Sequence, residues 1–203
     1  LSLSGNKNKY RSNENVGSVI RLLSSFVGIN SKDGHGALFD EFVLSTQGLG
    51  GDPYESASLR VQKNRLYEYN LLWRRNDYFN PGLTTNGGQG QHLLDTATTL
   101  QDNNLTLFPQ SRVKFFLGYS RNTQDGAGIS SFPSTPTGDF IPALTNVRQV
   151  QNEYRIGGEL HWWGTTLHWL RGWQDFKDDS TGAVNHGTSP YWQVALFRNS
   201  RWI

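Results

Sequence analysis

The fold is decided by residues Val113 to Ser120, which alternate between two kinds of side chain: Val113-Lys114-Phe115-Phe116-Leu117-Gly118-Tyr119-Ser120. Every second residue of a β-strand lies on the same face. Val113, Phe115, Leu117 and Tyr119 therefore share one face, and the residues of the opposite face are mostly polar or small. This alternation predicts a strand with one apolar face and one polar face.

The same alternation recurs along the chain. Tyr67 to Arg74 places Tyr67, Tyr69, Leu71 and Trp73 on one face, against Glu68, Asn70, Leu72 and Arg74. Weaker copies occur at Leu1 to Ser4, Ala37 to Ser45, Ser58 to Gln62, Tyr154 to Trp162 and Tyr191 to Phe197. No segment has a convincing helical pattern. We therefore expect an all-β fold with about ten antiparallel, up-and-down strands.

The segment Tyr154 to Trp173 predicts a β-hairpin. Gly164-Thr165 can form a two-residue type II′ turn, with glycine supplying the positive φ. That turn pairs Trp162 with Leu167 and Leu160 with Trp169, and it sets His161 opposite His168. A loop at Trp163-Gly164 is the alternative and pairs Glu159 with His168. We expect the first register, because a bulky tryptophan resists a positive φ.

The predicted connections alternate between short and long. Short ones fall at Ser31 to Gly36, Lys63 to Arg65, Pro109 to Ser111 and Gly164-Thr165. Long polar ones fall at Asn6 to Val16, Gln47 to Glu55, Tyr78 to Thr98, Thr123 to Gln149 and Lys177 to Ser189. Short turns at one rim and long loops at the other are typical of outer-membrane barrels.

The composition supports a one-layer wall over a packed core. Only 35% of the 203 residues are hydrophobic, yet the chain holds 7 Trp, 8 Tyr and 11 Phe. Mean hydropathy is -0.58. No apolar run approaches the roughly 18 to 20 residues of a membrane-spanning helix. If the chain spans a membrane, it does so as strands of a closed barrel, because lipid offers the backbone no hydrogen-bond partner.

Several classes of function are disfavoured. Cysteine is absent, which excludes disulfides, thiolate metal sites and cysteine nucleophiles. The net charge is +2 with dispersed Lys and Arg, so nucleic acid is not an expected partner. The chain has no methionine and opens in strand alternation at Leu1-Ser2-Leu3-Ser4. We expect a processed or truncated piece, with residues 1–203 forming a single β-barrel domain or part of one.

Four segments carry a family resemblance: Leu105 to Phe115, Gly118 to Asn122, Asn152 to Leu160 and Trp169 to Phe176. In them the chain resembles Gram-negative outer-membrane β-barrels, including porin-like barrels and the barrel sheaths of multihaem electron conduits. The resemblance implies a transmembrane barrel in the outer membrane, in contact with lipid and lipopolysaccharide. About ten strands could form a small complete barrel or part of a larger one, and we expect the latter. The resemblance assigns no function to any single residue.

The expected function is a channel that lets small solutes pass, without a cofactor and without enzymatic activity. One alternative is a scaffold barrel around a periplasmic or extracellular protein such as an electron-transfer cytochrome. Another is a barrel whose loops bind ligands or surfaces. A membrane-embedded hydrolase is a further alternative, but no Gly-x-Ser-x-Gly elbow accompanies the serine and histidine residues.

Two sets of candidate site residues follow from the alternation. The face opposite the aromatic side chains predicts lumen-facing residues Glu68, Arg74, Lys114, Arg155, Glu159, His161 and His168. The two histidines, with Glu159, are too few for a usual zinc site, so we expect no bound metal. Aromatic residues near strand ends predict girdles at the boundary of lipid and water, formed by Trp73, Tyr78, Trp162, Trp163 and Trp173.

Overall fold

The computed structural model describes residues 22–50, 52–80, 94–133, 140–180 and 185–198. These residues form an all-β fold with one short 3₁₀ turn at Lys32–Gly34. No helix among them has the length and apolar character to cross a membrane. The strands are β1 (Leu22–Asn30), β2 (Glu41–Leu49), β3 (Tyr54–Lys63), β4 (Tyr67–Asn80), β5 (Leu94–Leu107), β6 (Val113–Pro133), β7 (Phe140–Trp162), β8 (Thr165–Asp178) and β9 (Asn185–Arg198).

The nine strands form one open sheet in which each strand pairs with its neighbours in sequence. Every pairing is antiparallel, so the predicted up-and-down topology is confirmed. Within the described ranges β1 pairs with β2 alone and β9 with β8 alone, and the sheet does not close. About ten strands were expected, and the first of these, Leu1 to Ser4, lies outside the described residues.

The strands are longer than the sequence predicts, and the long connections are shorter. The loop expected over Thr123 to Gln149 is wrong, because β6 and β7 pair up to Pro133 and Phe140. Three other expected loops are also shorter than predicted. The strands on either side of them end and begin at Leu49 and Tyr54 (expected loop Gln47 to Glu55), at Asn80 and Leu94 (Tyr78 to Thr98), and at Asp178 and Asn185 (Lys177 to Ser189). In these extensions apolar and polar residues do not alternate regularly, so the sequence does not show the strand period even though the backbone ladder continues. The expected loop Asn6 to Val16 lies outside the described residues.

The first turn is organised by a buried carboxylate, Asp40. Its oxygens accept hydrogen bonds from the backbone nitrogens of Gly36 (2.8 Å) and Asn64 (2.7 Å). Lys63 Nζ lies 3.7 Å from Asp40 Oδ1. The turn consequently runs on to Asp40, and β2 begins at Glu41. The strand predicted from Ala37 therefore starts four residues too early.

The register of the β7–β8 hairpin is not the one we favoured from the sequence. Trp162 pairs with Thr165 and Glu159 pairs with His168, so the two-residue loop is Trp163-Gly164. Both loop residues have positive φ, 46° at Trp163 and 69° at Gly164. That pattern is a type I′ turn, whose twist matches the flanking strands. The favourable twist of the type I′ turn outweighs the conformational free energy that a left-handed backbone conformation costs Trp163.

The register places most of the large apolar side chains on one face of the sheet. We call this set the apolar belt: Val27, Ile29, Phe42, Leu44, Leu59, Val61, Tyr67, Tyr69, Leu71, Trp73, Leu105, Leu107, Val113, Phe115, Leu117, Tyr119, Tyr154, Ile156, Leu160, Trp162, Leu167, Trp169, Trp173, Trp192, Val194 and Leu196. Among the described residues no hydrophobic side chain is buried. The belt therefore covers no core of its own.

Candidate functional site

The opposite side of the sheet, which we call the polar face, carries most of the charged side chains at the level of the belt. Following the strand pairs from Glu68 through β5 and β6 to β8 keeps the same face throughout. All seven predicted lumen residues lie on this face: Glu68, Arg74, Lys114, Arg155, Glu159, His161 and His168. The polar face is therefore one continuous surface, and the period-two alternation of the sequence predicts which residues lie on it.

Arg155 reaches across a whole strand on the polar face. Its guanidinium crosses β6 and contacts Asp102 on β5, and its Nη2 donates to Asn104 Oδ1 at 3.1 Å. The crossing is open because the residue between them is Gly118. A Cβ at position 118 would lie 2.6 Å from Arg155 Nε. Because Gly118 has no side chain, Arg155 of β7 can pass over β6 and form an ion pair with Asp102 of β5, although β5 and β7 do not pair with each other.

Aromatic rings span the polar face in the same manner. Tyr191 on β9 reaches across Gly172 on β8, and its hydroxyl donates to Glu153 Oε1 on β7 at 2.5 Å. The rings of Phe116 on β6 and His168 on β8 meet edge to face with centroids 5.4 Å apart. Side chains two strands apart thus meet on the polar face.

The two predicted histidines lie near the β7–β8 turn. His161 Nδ1 is 2.8 Å from Thr166 Oγ1, and His168 pairs across the hairpin with Glu159. The Glu159 carboxylate accepts a hydrogen bond from Lys114 Nζ at 2.8 Å. Among the described residues no group of three or more His, Asp or Glu is placed to hold a metal ion. The turn end of the polar face is instead lined by paired charges and imidazoles.

A second charge cluster lies on β2, β3 and β4. Arg60 Nε lies 3.9 Å from Glu41 Oε2 and 3.7 Å from Glu68 Oε1. All three side chains are more than 30% exposed, so the pairs are solvated and contribute little to stability. Arg74, farther along β4, is exposed on the same face. Charges at this level remain in contact with water and can act on ions that approach the sheet.

Two depressions open on the polar face. The first, of about 260 Å³, is lined chiefly by Ser58, Arg60, Asn70, Leu72, Asp102 and Asn104. The second, of about 130 Å³, lies on β5 to β8, farther from the short turns. It is lined chiefly by Thr98, Asn122, Gln124, Gln149, Gln151 and Phe176. The depressions and the contacts that skip a strand therefore lie on the same face of the sheet.

The five predicted girdle residues do not all lie on one face. Trp73, Trp162 and Trp173 belong to the belt, and each occupies the end of its strand's apolar stretch. Trp163 lies in the turn, 88% exposed, with its ring stacked on Trp162 at a centroid distance of 5.0 Å. Tyr78 pairs with Thr96 on the polar face. Three of the five thus lie on the belt side of the sheet, and a fourth, Trp163, stacks on one of those three from the turn.

One cation interrupts the belt. Arg171 pairs with Ile156 and Trp192 and so lies on the apolar side. Its guanidinium carbon lies 4.1 Å from the ring centroid of Trp192 and 5.3 Å from that of Trp173. Contacts of this kind stabilise a cation at an otherwise apolar surface. Sequence reasoning did not single out Arg171, although its place between Trp169 and Trp173 in the alternation was a usable signal.

Sequence reasoning also missed Asp102, Glu153 and Tyr191, which complete the contacts that skip a strand. Each lies in a segment whose alternation is weak, and its partner is apparent only once three strands are aligned. A search for a glycine opposite a long polar side chain would find the pairs Gly118–Arg155 and Gly172–Tyr191.

Comparison of the chain with protein-family models, curated proteins and solved structures finds no match.

Proposed function

We propose that the chain forms part of the wall of an outer-membrane β-barrel channel of a Gram-negative bacterium, through which small solutes pass. The observation that carries this proposal is the apolar belt. It runs across all nine described strands with many side chains at least 40% exposed, for example Phe115, Tyr154 and Trp192. Soluble monomers rarely expose a contiguous apolar surface of this extent, whereas a bilayer covers one.

The apolar stretches of the belt approach the length of transmembrane strands. The alternating apolar stretches of β4, β6 and β7 run over Tyr67 to Trp73, Val113 to Tyr119 and Tyr154 to Trp162. At roughly 3.3 Å per residue, stretches of seven to nine residues measure about 23 to 30 Å along the strand. Transmembrane strands of tilted barrels need about 9–11 residues. The nine residues of the β7 stretch reach this number, and the seven-residue stretches of β4 and β6 fall about two residues short of it.

The strands continue past the belt at the end away from the short turns. Beyond Tyr119, β6 places Arg121, Thr123 and Asp125 on the belt side, so both faces become polar. With 21 residues, β6 exceeds a membrane span by about ten residues. In the proposed orientation the short turns face the periplasm and these polar extensions project outside the cell.

The polar face would line the lumen. Its charges, including Glu68, Arg74, Lys114, Arg155 and Glu159, bias the passage of ions by ordinary electrostatics. Lys114 and Arg155 are paired with carboxylates, whereas Arg74 makes no ion pair with another described residue. Arg74 is therefore the cation whose field is least cancelled locally.

Planar-bilayer recording of the full-length protein tests this proposal. We expect stepwise conductance and a reversal potential that shifts towards cations in Arg74→Gln. Arg75→Gln is the matched control, because Arg75 is the next residue of β4, faces the other side and pairs with Asp77 at 3.0 Å. Absence of conductance, or equal shifts in the two variants, would count against the channel.

A further inference from the structure

Four carboxamide side chains form a compact block on the polar face. Asn122 pairs with Gln151, and Gln124 pairs with Gln149, so the four occupy two adjacent rows of β6 and β7. Thr98 of β5 flanks one row and Phe176 of β8 flanks the other. These six residues line the 130 Å³ depression, and we call them the carboxamide block.

The block is uncharged, in contrast to the surface next to it. The adjacent row towards the short turns holds Asp102 and Glu153, and the row after it holds Arg155. At the other border, Asp178 accepts hydrogen bonds from Gln149 Nε2 at 3.1 Å and from the Ser180 backbone nitrogen at 3.0 Å. A charged ligand would find no opposite charge within the block itself.

Hydrogen-bonding capacity in the block is largely unused. Each carboxamide has two N–H donors and one carbonyl acceptor. Gln149 uses one donor on Asp178. Within the described residues no side-chain hydrogen bond involves Asn122, Gln124 or Gln151. A ligand with several hydroxyl groups, each both donor and acceptor, would match this set, whereas an apolar ligand would leave the amides unpaired.

Phe176 adds an apolar surface at the edge of the block. Its side chain is 37% exposed and lies opposite Gln151 in the register. An aromatic ring offers a broad face for contact with C–H groups. A sugar ring combines such an apolar face with a rim of hydroxyl groups. The depression is smaller than the roughly 300 Å³ of typical ligand pockets, so it suits one ring at a time.

We propose that the carboxamide block is a binding subsite for a neutral saccharide. The inference rests on the proposed function and deepens it, because it names the class of solute. In the barrel, the subsite lies above the belt on the lumen side, where an entering sugar would meet it before the charged rows. Binding there would raise the local concentration of sugar at the mouth of the channel.

Maltotriose added to the full-length protein in planar bilayers tests the subsite. We expect concentration-dependent interruptions of the current. Isothermal titration calorimetry of the detergent-solubilised protein should give the same dissociation constant. Gln151→Ala and Phe176→Ala should each weaken binding by about 2- to 10-fold, the usual contribution of one such contact. Phe176→Tyr, which keeps the ring, should restore most of it.

Gln101→Ala is the matched control, since Gln101 is a carboxamide beside Trp73 on the other face. It should leave maltotriose binding unchanged. Conductance without maltotriose binding by either method would overturn the subsite and leave the channel intact. Maltotriose binding in detergent without conductance would support the subsite and refute the channel. Equal losses in Gln151→Ala and Gln101→Ala would also overturn the subsite.

Discussion

Tyr191 lies directly on the backbone of Gly172, one strand away. A Cβ at position 172 would come within 2.1 Å of Tyr191 Cζ, so glycine is required there by close approach. The tyrosine crosses β8 in this position and donates its hydroxyl to Glu153 on β7. One residue without a side chain thereby ties three strands together on the polar face.

Gly172→Ala should destabilise the protein by about 1–3 kcal/mol, the usual cost of an added methyl group in an occupied site. The ring must swing away, and the hydrogen bond to Glu153 is lost with it. Gly187→Ala on β9 is the control, because nothing lies within 4 Å of a Cβ there. Denaturant unfolding of the full-length protein measures both variants. Equal stabilities of the two would contradict the packing described.

The ion pair between Arg155 and Asp102 should show measurable coupling although the residues lie on strands that do not pair. In a double-mutant cycle with Arg155→Met and Asp102→Asn, we expect an interaction energy of about 1 kcal/mol. The exposed pair of Lys177 and Asp179, 2.6 Å apart, serves as comparison and should give at most about 0.5 kcal/mol. An interaction energy near zero for Arg155 and Asp102 would contradict an ion pair that crosses Gly118.

Asp40 should make stability depend on acid. The pKa of its carboxyl group is held below the ordinary 3.8, first because the Asn64 amide donates to it, with further lowering by Gly36, Lys63 and Ser31, while burial opposes the shift. The folded state therefore binds this proton less readily than the unfolded state. The resulting stability is complete above the ordinary pKa and is lost as pH falls below it towards the lowered folded-state pKa.

Asp40→Asn removes that dependence. We expect the unfolding midpoint of the variant to lie below that of the parent at pH 6. The difference should shrink as the pH falls below 3.8, the ordinary value of this carboxyl group. Chemical denaturation at a series of pH values makes the comparison. A difference that is constant from pH 6 to pH 2.5 would show that the carboxylate charge contributes nothing.

The sequence predicts strands wherever one face is apolar and the other polar. Val113 to Ser120 and Tyr67 to Arg74 show this pattern, and both lie in strands as predicted. The signal fails where both faces are polar, as beyond Tyr119 on β6. Backbone hydrogen bonds hold these residues in the sheet without any apolar alternation, so strand ends were the least predictable part of the fold.

The sequence predicted that a two-residue turn joins β7 and β8, but it did not predict which two residues form the turn. A glycine near residue 164 correctly indicated a two-residue turn. The choice between two loops depended on the cost of a positive φ at Trp163, which is about 1–2 kcal/mol per residue. Stacking of Trp163 on Trp162 and the twist of a type I′ turn offset that cost. Neither effect is visible in the sequence alone.

The period-two alternation of the strands predicted that the seven lumen-facing candidates share one face of the sheet. The register places all seven on the polar face. The alternation did not predict their partners. The contact of Arg155 with Asp102 depends on the alignment of three strands and on the glycine between them. Tyr78 shows the opposite failure, since its place near a strand end said nothing about which face it occupies.

In the proposed barrel, lipid covers the belt and water covers the polar face. Leu71 and Leu72 are adjacent on β4 and face opposite sides, towards Asn103 and Asp102 of β5 respectively. The most direct test is the unfolding free energy, in phosphatidylcholine bilayers, of the full-length protein carrying Leu71→Arg or Leu72→Arg. Leu71→Arg should lose about 2–4 kcal/mol, the cost of arginine at the lipid-facing midplane, and Leu72→Arg about 0.5 kcal/mol or less. Equal losses, or a larger loss for Leu72→Arg, would contradict a lipid-facing belt.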